Sequence, residues 1–149
     1  MIDFAIIALP RSGTAWAANF LTCDDKICLH DPLATMNLEE LQNHSGGISC
    51  TAMWLNHEFV YSNIKRWIIL ERDVQEVNQY AVNAGYEPFN EHAINLFRNL
   101  RGPRMNWQAL FNEESAKDIF EYLRPDDKFD SARYKLLQGL TIETKACYV

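Results

Sequence analysis

The chain reads Phe4-Ala5-Ile6-Ile7-Ala8-Leu9-Pro10-Arg11-Ser12-Gly13-Thr14-Ala15-Trp16 close to its first residue. The six apolar residues at the start of this segment predict a short buried strand, and residues 14–21 predict the helix that follows. Small residues between them form a tight turn. Such a turn binds anions, because backbone N–H groups converge there and the helix dipole adds positive potential. The segment therefore predicts a site for an anionic ligand.

The residues that the turn lacks narrow the choice of anion. A nucleoside-triphosphatase loop, G-x-x-x-x-G-K-[ST], would need glycine at position 8, lysine at 14 and a hydroxyl at 15. The chain has Ala8, Thr14 and Ala15 there. The side chains that usually contact magnesium and the γ-phosphate are therefore absent. The guanidinium of Arg11, in contrast, can donate two parallel hydrogen bonds to a phosphate or sulfate. A nucleotide or small-molecule kinase is a minor alternative, which magnesium-dependent ATP binding would support.

Within this segment, Pro10-Arg11-Ser12-Gly13-Thr14-x-Trp16 resembles the P-[RK]-S-G-T-T-W loop of sulfotransferases. In that family the loop cradles the 5′-phosphosulfate of 3′-phosphoadenosine 5′-phosphosulfate (PAPS), and the chain looks most like small sulfotransferase-like proteins of bacteriophages and prophages. The resemblance implies that Arg11 acts on the reacting group by stabilising charge on the oxygen between phosphate and sulfuryl. It implies these donor-binding residues: Arg11, Ser12, Gly13, Thr14, Ala15 and Trp16. Ala15 departs from the family, which has a second threonine there.

Two further segments carry the resemblance. Glu71-Arg72-Asp73 is similar to the family's R-[DN]-P segment, whose arginine binds the 3′-phosphate of the donor together with a serine eight residues later. The resemblance implies that role for Arg72, and the second position is Tyr80. Tyr80 either donates its hydroxyl or belongs to the core. Phe129-Asp130-Ser131-Ala132-Arg133 matches an F-D-x-x-R step that closes the domain in the family.

A candidate general base follows the second predicted strand, at residues 26–29. Several sulfotransferase branches carry a glutamate in this region that deprotonates the hydroxyl of the acceptor. The resemblance implies that Asp31 or His30 is the catalytic base, since a carboxylate or an imidazole can take a proton. The alternative is that Asp31 caps the turn before Pro32, which is a common use of aspartate.

Strands and helices alternate along the rest of the chain. Further strands are predicted at residues 48–50, 66–70 and 105–107, and helices at 38–42, 52–55, 74–84, 91–100, 113–123 and 131–140. The stripe predicted for the 74–84 helix consists of Val77, Tyr80, Ala81 and Ala84. The alternation predicts an α/β fold, namely a three-layer, P-loop NTPase-like, open and mostly parallel sheet with helices on both faces. Ligands bind such sheets at the carboxyl ends of the strands.

Composition limits the classes of function. With 149 residues, 48% of them hydrophobic, a single domain over residues 1–149 is expected. The chain shows neither an apolar run that could cross a bilayer nor a signal-peptide pattern, so we expect no membrane partner and a cytoplasmic location, the host cytoplasm if the protein is phage-encoded. The net charge of −6 argues against nucleic acid as a partner.

The cysteines predict no metal centre. Four of them, Cys23, Cys28, Cys50 and Cys147, lack C-x-x-C spacing and mostly adjoin apolar residues, so reduced and buried thiols are expected. A zinc site of Cys23, Cys28 and His30 lacks a recognisable fourth ligand. The resemblance to sulfotransferases implies that the chain transfers a sulfuryl group from PAPS, without metal, to an unknown hydroxyl or amine acceptor. Ala15 and Tyr80 favour the alternative, a catalytically degenerate anion-binding or interaction module.

Overall fold

The computed structural model describes residues 1–140, whose strands form one open, entirely parallel sheet. The strands are β1 (Ile2–Ala8), β2 (Cys28–His30), β3 (Gly47–Cys50), β4 (Ile64–Glu71) and β5 (Arg104–Asn106). Their order across the sheet is β2-β3-β1-β4-β5, so β1 is central. It pairs with β4 up to Ala8↔Leu70 and with β3 up to Ile7↔Cys50. The loops that follow all five strands therefore lie along one edge of the sheet.

Seven α-helices accompany the strands in the described residues. They are α1 (Thr14–Leu21), α2 (Leu38–Leu41), α3 (His57–Asn63), α4 (Val74–Asn83), α5 (Glu91–Asn99), α6 (Glu113–Leu123) and α7 (Ser131–Gln138). The predicted elements agree with these bounds to within two residues, except that 52–55 contains a 3₁₀ turn, Met53–Leu55, and that α3 was not predicted. None of the helices in residues 1–140 is both long and apolar enough to cross a membrane.

Apolar side chains cover both faces of the sheet, because alternate residues of a strand point to opposite sides. On one face, Phe4 and Ile6 of β1 pack in a buried cluster with side chains of α1, α6 and α7. On the other face, Ala5 and Ile7 pack with side chains of α3, α4 and α5. The predicted α/β fold with helices on both faces of the sheet is therefore confirmed.

The apolar stripe predicted for α4 is wrong in part. Val77 is buried, but Tyr80 is 46% exposed and Ala84 is exposed. The less exposed face of α4 consists of Val74, Val77, Asn78 and Ala81. Tyr80 lies to one side of that face and is not a core residue. Its ring instead contacts two arginines at the carboxyl edge of the sheet.

The Phe129-Asp130-Ser131-Ala132-Arg133 step joins α7 to the end of α1. The Asp130 side chain accepts a hydrogen bond from the Arg133 backbone N–H and so caps α7. The Arg133 guanidinium donates to carbonyl oxygens in and just after the last turn of α1, which belong to Asn19, Phe20 and Thr22. These oxygens would otherwise lack partners, because the last turn of a helix has no further amides to bind them. The step therefore fixes α1 at its carboxyl end.

Three of the four cysteines lie among the described residues, and all three are free thiols. Cys28 and Cys50 are buried, and burial raises the pKa of both thiols, that of Cys50 to about 11. Cys23 is half-buried. The prediction of buried, reduced thiols is thus confirmed for Cys28 and Cys50, and Cys147 lies outside the described residues.

Candidate anion-binding site

The loop between β1 and α1 turns through two residues with left-handed backbone. Arg11 has a φ of 64° and Gly13 a φ of 78°. Two reasons favour glycine at position 13. A positive φ costs glycine little, and the Cβ of any other residue would lie 3.1 Å from Leu110 Cδ1, which is a tight contact. Arg11 has a Cβ, so its conformation costs about 1–3 kcal/mol, which contacts with neighbouring groups must offset. The loop therefore depends on contacts from outside itself.

No side chain among residues 1–140 caps the amino terminus of α1. Gly13 occupies the N-cap position and offers no side chain, whereas Asn or Asp side chains cap α2, α4, α5, α6 and α7. Within residues 1–140, the backbone N–H groups of Gly13, Thr14, Ala15 and Trp16 have no hydrogen-bond acceptor. The helix dipole places about half a positive charge at this end. The loop therefore offers several free donors to an anion.

Ser12 adds a buried hydroxyl to these donors. Its exposed fraction is 0%, and its Oγ has no hydrogen-bond partner in the described part of the chain. Leaving a buried hydroxyl unpaired costs about 1–3 kcal/mol, so native structures contain few of them. A ligand oxygen in the loop would satisfy this hydroxyl. Ser12 thus points to a ligand independently of the uncapped helix.

Arg11 has a guanidinium that is free to meet a ligand. The side chain is exposed, and among residues 1–140 no carboxylate forms an ion pair with it. Its Cζ atom lies 5.9 Å from the centre of the Tyr80 ring. The predicted donor-binding arginine therefore carries an uncompensated positive charge at the mouth of the loop.

Arg72 follows β4, the neighbour of β1, and its guanidinium reaches the same loop. Nη1 donates a hydrogen bond to the carbonyl oxygen of Arg11, and Nε donates to Glu76 Oε2 at 3.0 Å. Its Cζ lies 4.3 Å from the centre of the Trp107 ring and 5.0 Å from that of Tyr80. The structure therefore brings together Arg72 and Tyr80, the two positions that the resemblance pairs, and adds Trp107.

Trp107 was missed as a site residue by sequence reasoning. It begins the 3₁₀ turn Trp107–Phe111 directly after β5, which pairs with β4 at the edge of the sheet. Its position just after a strand could have identified it as a site residue, because loops at the carboxyl edge form the ligand sites of such sheets. The sequence pattern placed it only at the end of a strand predicted at residues 105–107.

His30 and Asp31 lie on the other side of the loop, at the end of β2. His30 Nε2 is 3.3 Å from Thr14 Oγ1 and 3.2 Å from Asp31 Oδ2. The second oxygen, Asp31 Oδ1, accepts a hydrogen bond of 2.7 Å from the Thr51 backbone N–H. The alternative, that Asp31 caps the turn before Pro32, holds for its position but not for its side chain: Asp31 is the N-cap residue of that turn, but its carboxylate forms no capping hydrogen bond and binds the residue after β3 instead. His30 therefore adjoins the loop with its ring, and Asp31 positions that ring.

The remaining loop residues act mainly through the backbone. The indole of Trp16 is buried, and its Nε1 donates to the Leu137 carbonyl oxygen at 3.0 Å, so at the loop only its backbone N–H is free. The carbonyl oxygen of Thr14 accepts a hydrogen bond of 2.7 Å from Ser49 Oγ of β3. Ala15 is half-buried and contributes a methyl group. These contacts fix the first turn of α1 beneath the free amides.

The alternative zinc site is not formed in the structure. Among residues 1–140, no three His, Cys, Asp or Glu side chains are grouped as a metal site would require. Cys23, one of the three proposed ligands, accepts a hydrogen bond from Arg124 Nη1 at its sulfur, at 2.7 Å. The ring of His30 adjoins Thr14 and Asp31 instead.

No model of a known protein family matches the chain, and no curated protein sequence matches it. The function therefore has to be inferred from the site. The site combines free backbone donors, a buried hydroxyl and two arginines at the carboxyl edge of a parallel sheet. Groups of this kind suit the tetrahedral oxygens of a phosphate or sulfate.

Proposed function

We propose that the protein is a small sulfotransferase with a P-loop NTPase-like fold that binds PAPS at the β1–α1 loop. The observation that carries the proposal is the start of α1, which lacks a side-chain cap, together with the buried hydroxyl of Ser12, which has no partner among residues 1–140. Arg11 and Arg72 contact each other at the same loop. A phosphosulfate group in this loop would accept hydrogen bonds from the free amides and from Ser12. The arginine side chains supply the charge that balances it.

The proposed reaction is an in-line transfer of the sulfuryl group. The hydroxyl or amine of the acceptor attacks sulfur, the bond from sulfur to the bridging oxygen breaks, and 3′-phosphoadenosine 5′-phosphate (PAP) leaves. Arg11 and the loop amides stabilise the charge that grows on the bridging oxygen. The proton of the acceptor passes to the enzyme's base.

His30 is a better candidate for this base than Asp31. Oδ1 of Asp31 already accepts a hydrogen bond from the Thr51 amide, and Oδ2 lies 3.2 Å from His30 Nε2. If Nε2 of His30 carries the ring proton, that N–H faces Thr14 Oγ1 and Asp31 Oδ2, and the lone pair on Nδ1 remains available, since Nδ1 has no partner within the described residues. Asp31 would then hold the ring in the reactive tautomer.

Isothermal titration calorimetry with PAP tests the proposal. We expect saturable binding at one site per chain when the ligand is present at about 1 mM, a concentration that detects binding stronger than about −4 kcal/mol. Release of PAP from PAPS in the presence of hydroxyl or amine acceptors then tests for transfer. Absence of binding heat at this concentration would contradict the proposal.

The methyl group of Ala15 favours a second candidate, a binding module without catalysis. In the resembling family a threonine hydroxyl at this position contacts the 5′-phosphate. A protein that serves only as an interaction module would keep its biological effect when Arg11 is replaced by alanine. Loss of the effect in that variant would reject a pure interaction module and leave a function that depends on anion binding at the loop.

Adding a hydroxyl at position 15 is predicted to increase the affinity for PAP. Ala15→Thr is expected to tighten PAP binding by about 2- to 12-fold, because one added hydrogen bond contributes about 0.5–1.5 kcal/mol. Ala15→Val is the matched control, since valine has the shape of threonine without its hydroxyl. Calorimetric titration of both variants checks the prediction. Equal affinities of the two variants would show that no ligand oxygen lies near position 15.

A further inference from the structure

We propose that Arg72 is a positioning residue that holds the β1–α1 loop in its anion-binding conformation. The resemblance implies only a contact between Arg72 and the 3′-phosphate of the donor. The proposed loop-holding role concerns the protein before any ligand binds, and it rests on the proposed function only for the identity of the ligand.

Two of the three guanidinium nitrogens of Arg72 donate hydrogen bonds within the protein. Nη1 donates to the carbonyl oxygen of Arg11, and Nε donates to the Glu76 carboxylate. Nη2 has no hydrogen-bond partner among residues 1–140, and it is not buried. Two edges are therefore used within the protein, and one nitrogen remains for a ligand.

Packing fixes the guanidinium from three directions. Trp107 comes from the turn after β5, Tyr80 from α4, and Glu76 from the first turn of α4. The Arg72 side chain is 11% exposed as a result. A guanidinium held this way has lost most of its conformational freedom, and its donors keep their direction toward the loop.

Arg72 binds the loop residue whose backbone conformation most needs support from a neighbour. Arg11 is a non-glycine residue with a φ of 64°, which its side chain disfavours. The hydrogen bond from Arg72 to the Arg11 carbonyl fixes the peptide that follows this residue. Without that bond, Arg11 is expected to relax toward negative φ, which would redirect the amides of Ser12 and Gly13 away from the anion.

Two ligands distinguish the positioning role from a simple phosphate contact. PAP carries both a 5′-phosphate and a 3′-phosphate, whereas AMP carries only the 5′-phosphate. If Arg72 positions the loop, Arg72→Gln weakens binding of both ligands at least tenfold. If Arg72 only contacts the 3′-phosphate, the variant weakens PAP binding and leaves AMP binding unchanged, which would overturn the inference.

The conservative variant sharpens this test. Lysine keeps the positive charge, but it lacks the planar fork that reaches Arg11 and Glu76 at once. Arg72→Lys is therefore expected to lose at least tenfold in affinity for AMP, as Arg72→Gln does. Arg66→Gln is the matched control, because Arg66 is an exposed arginine of β4, the strand that Arg72 follows, and lies outside the site. The affinities of this variant should equal those of the wild type.

Amide NMR spectra of the ligand-free protein separate this inference from the proposed function. We expect Arg72→Gln to shift or broaden the amide resonances of Ser12 to Trp16, whether or not the wild type binds PAP. If this variant does not fold, Glu76→Gln takes its place, since it removes one exposed partner of Arg72 and should shift the same resonances less. Unchanged loop resonances in the folded variant would overturn the inference.

Discussion

Replacing Arg11 by alanine is expected to weaken PAP binding by about 10- to 150-fold and to leave the melting temperature unchanged. A hydrogen bond to a charged group contributes about 1.5–3 kcal/mol, which corresponds to this range. The stability should not change, because the side chain is exposed and forms no ion pair within residues 1–140. Calorimetry with PAP and a thermal melt of the same preparation measure the two quantities.

Two further variants show whether the effect belongs to the site. Arg11→Lys keeps the charge without the fork and should recover only part of the affinity. Arg66→Ala removes the same charge from an exposed position of β4 outside the site and should bind PAP as the wild type does. Equal losses in Arg11→Ala and Arg66→Ala would mean that overall charge, and not the loop, governs binding.

The β1–α1 segment shows what local sequence can predict. A six-residue apolar run, a turn with glycine and an alanine-rich helix start are all encoded within the first 21 residues, and β1 and α1 occur where these patterns lie. The free amides follow from the same pattern, because Gly13 cannot cap the helix with a side chain. Both the element and its donors are therefore local properties of the chain.

The rest of the site depends on strand order, which no local pattern contains. Arg72 donates to a residue 61 positions earlier because β4 pairs with β1. Asp31 binds the amide of Thr51, 20 positions later, because β2 pairs with β3. Sequence reasoning placed these side chains at the carboxyl edge but could not assign their partners. The exposure of Tyr80 escaped prediction for the same reason, since its contacts are with Arg11 and Arg72.

Loss of Arg124 is expected to produce the largest change in stability. Its side chain is fully buried, its Nε donates to Asp127 Oδ2 at 2.8 Å, and its Nη1 donates to the Leu21 carbonyl oxygen at 2.7 Å. Arg124→Ala leaves these acceptors without their partner. The Asp127 side chain is 21% exposed, so the loss is that of two hydrogen bonds from a charged group, about 1.5–3 kcal/mol each and about 3–6 kcal/mol together. Urea denaturation should show a free energy of unfolding lower by this amount.

The exposed pair Lys117–Glu121, with 3.8 Å between nitrogen and oxygen, supplies the control. Lys117→Ala should change the free energy of unfolding by less than about 1 kcal/mol, because water screens an exposed pair. Similar stabilities of the two variants would contradict the role given to Arg124.

The Arg124→Ala variant also shows whether a loss of stability by itself weakens PAP binding. It contacts the carboxyl end of α1 at Leu21, whereas the candidate site lies at the opposite end of that helix. Arg124→Ala should therefore reduce PAP affinity only in proportion to the fraction of molecules that unfold. An osmolyte that favours the folded state should restore the affinity of Arg124→Ala and leave that of Arg11→Ala low. Persistent weak binding of fully folded Arg124→Ala would mean that the two ends of α1 are coupled.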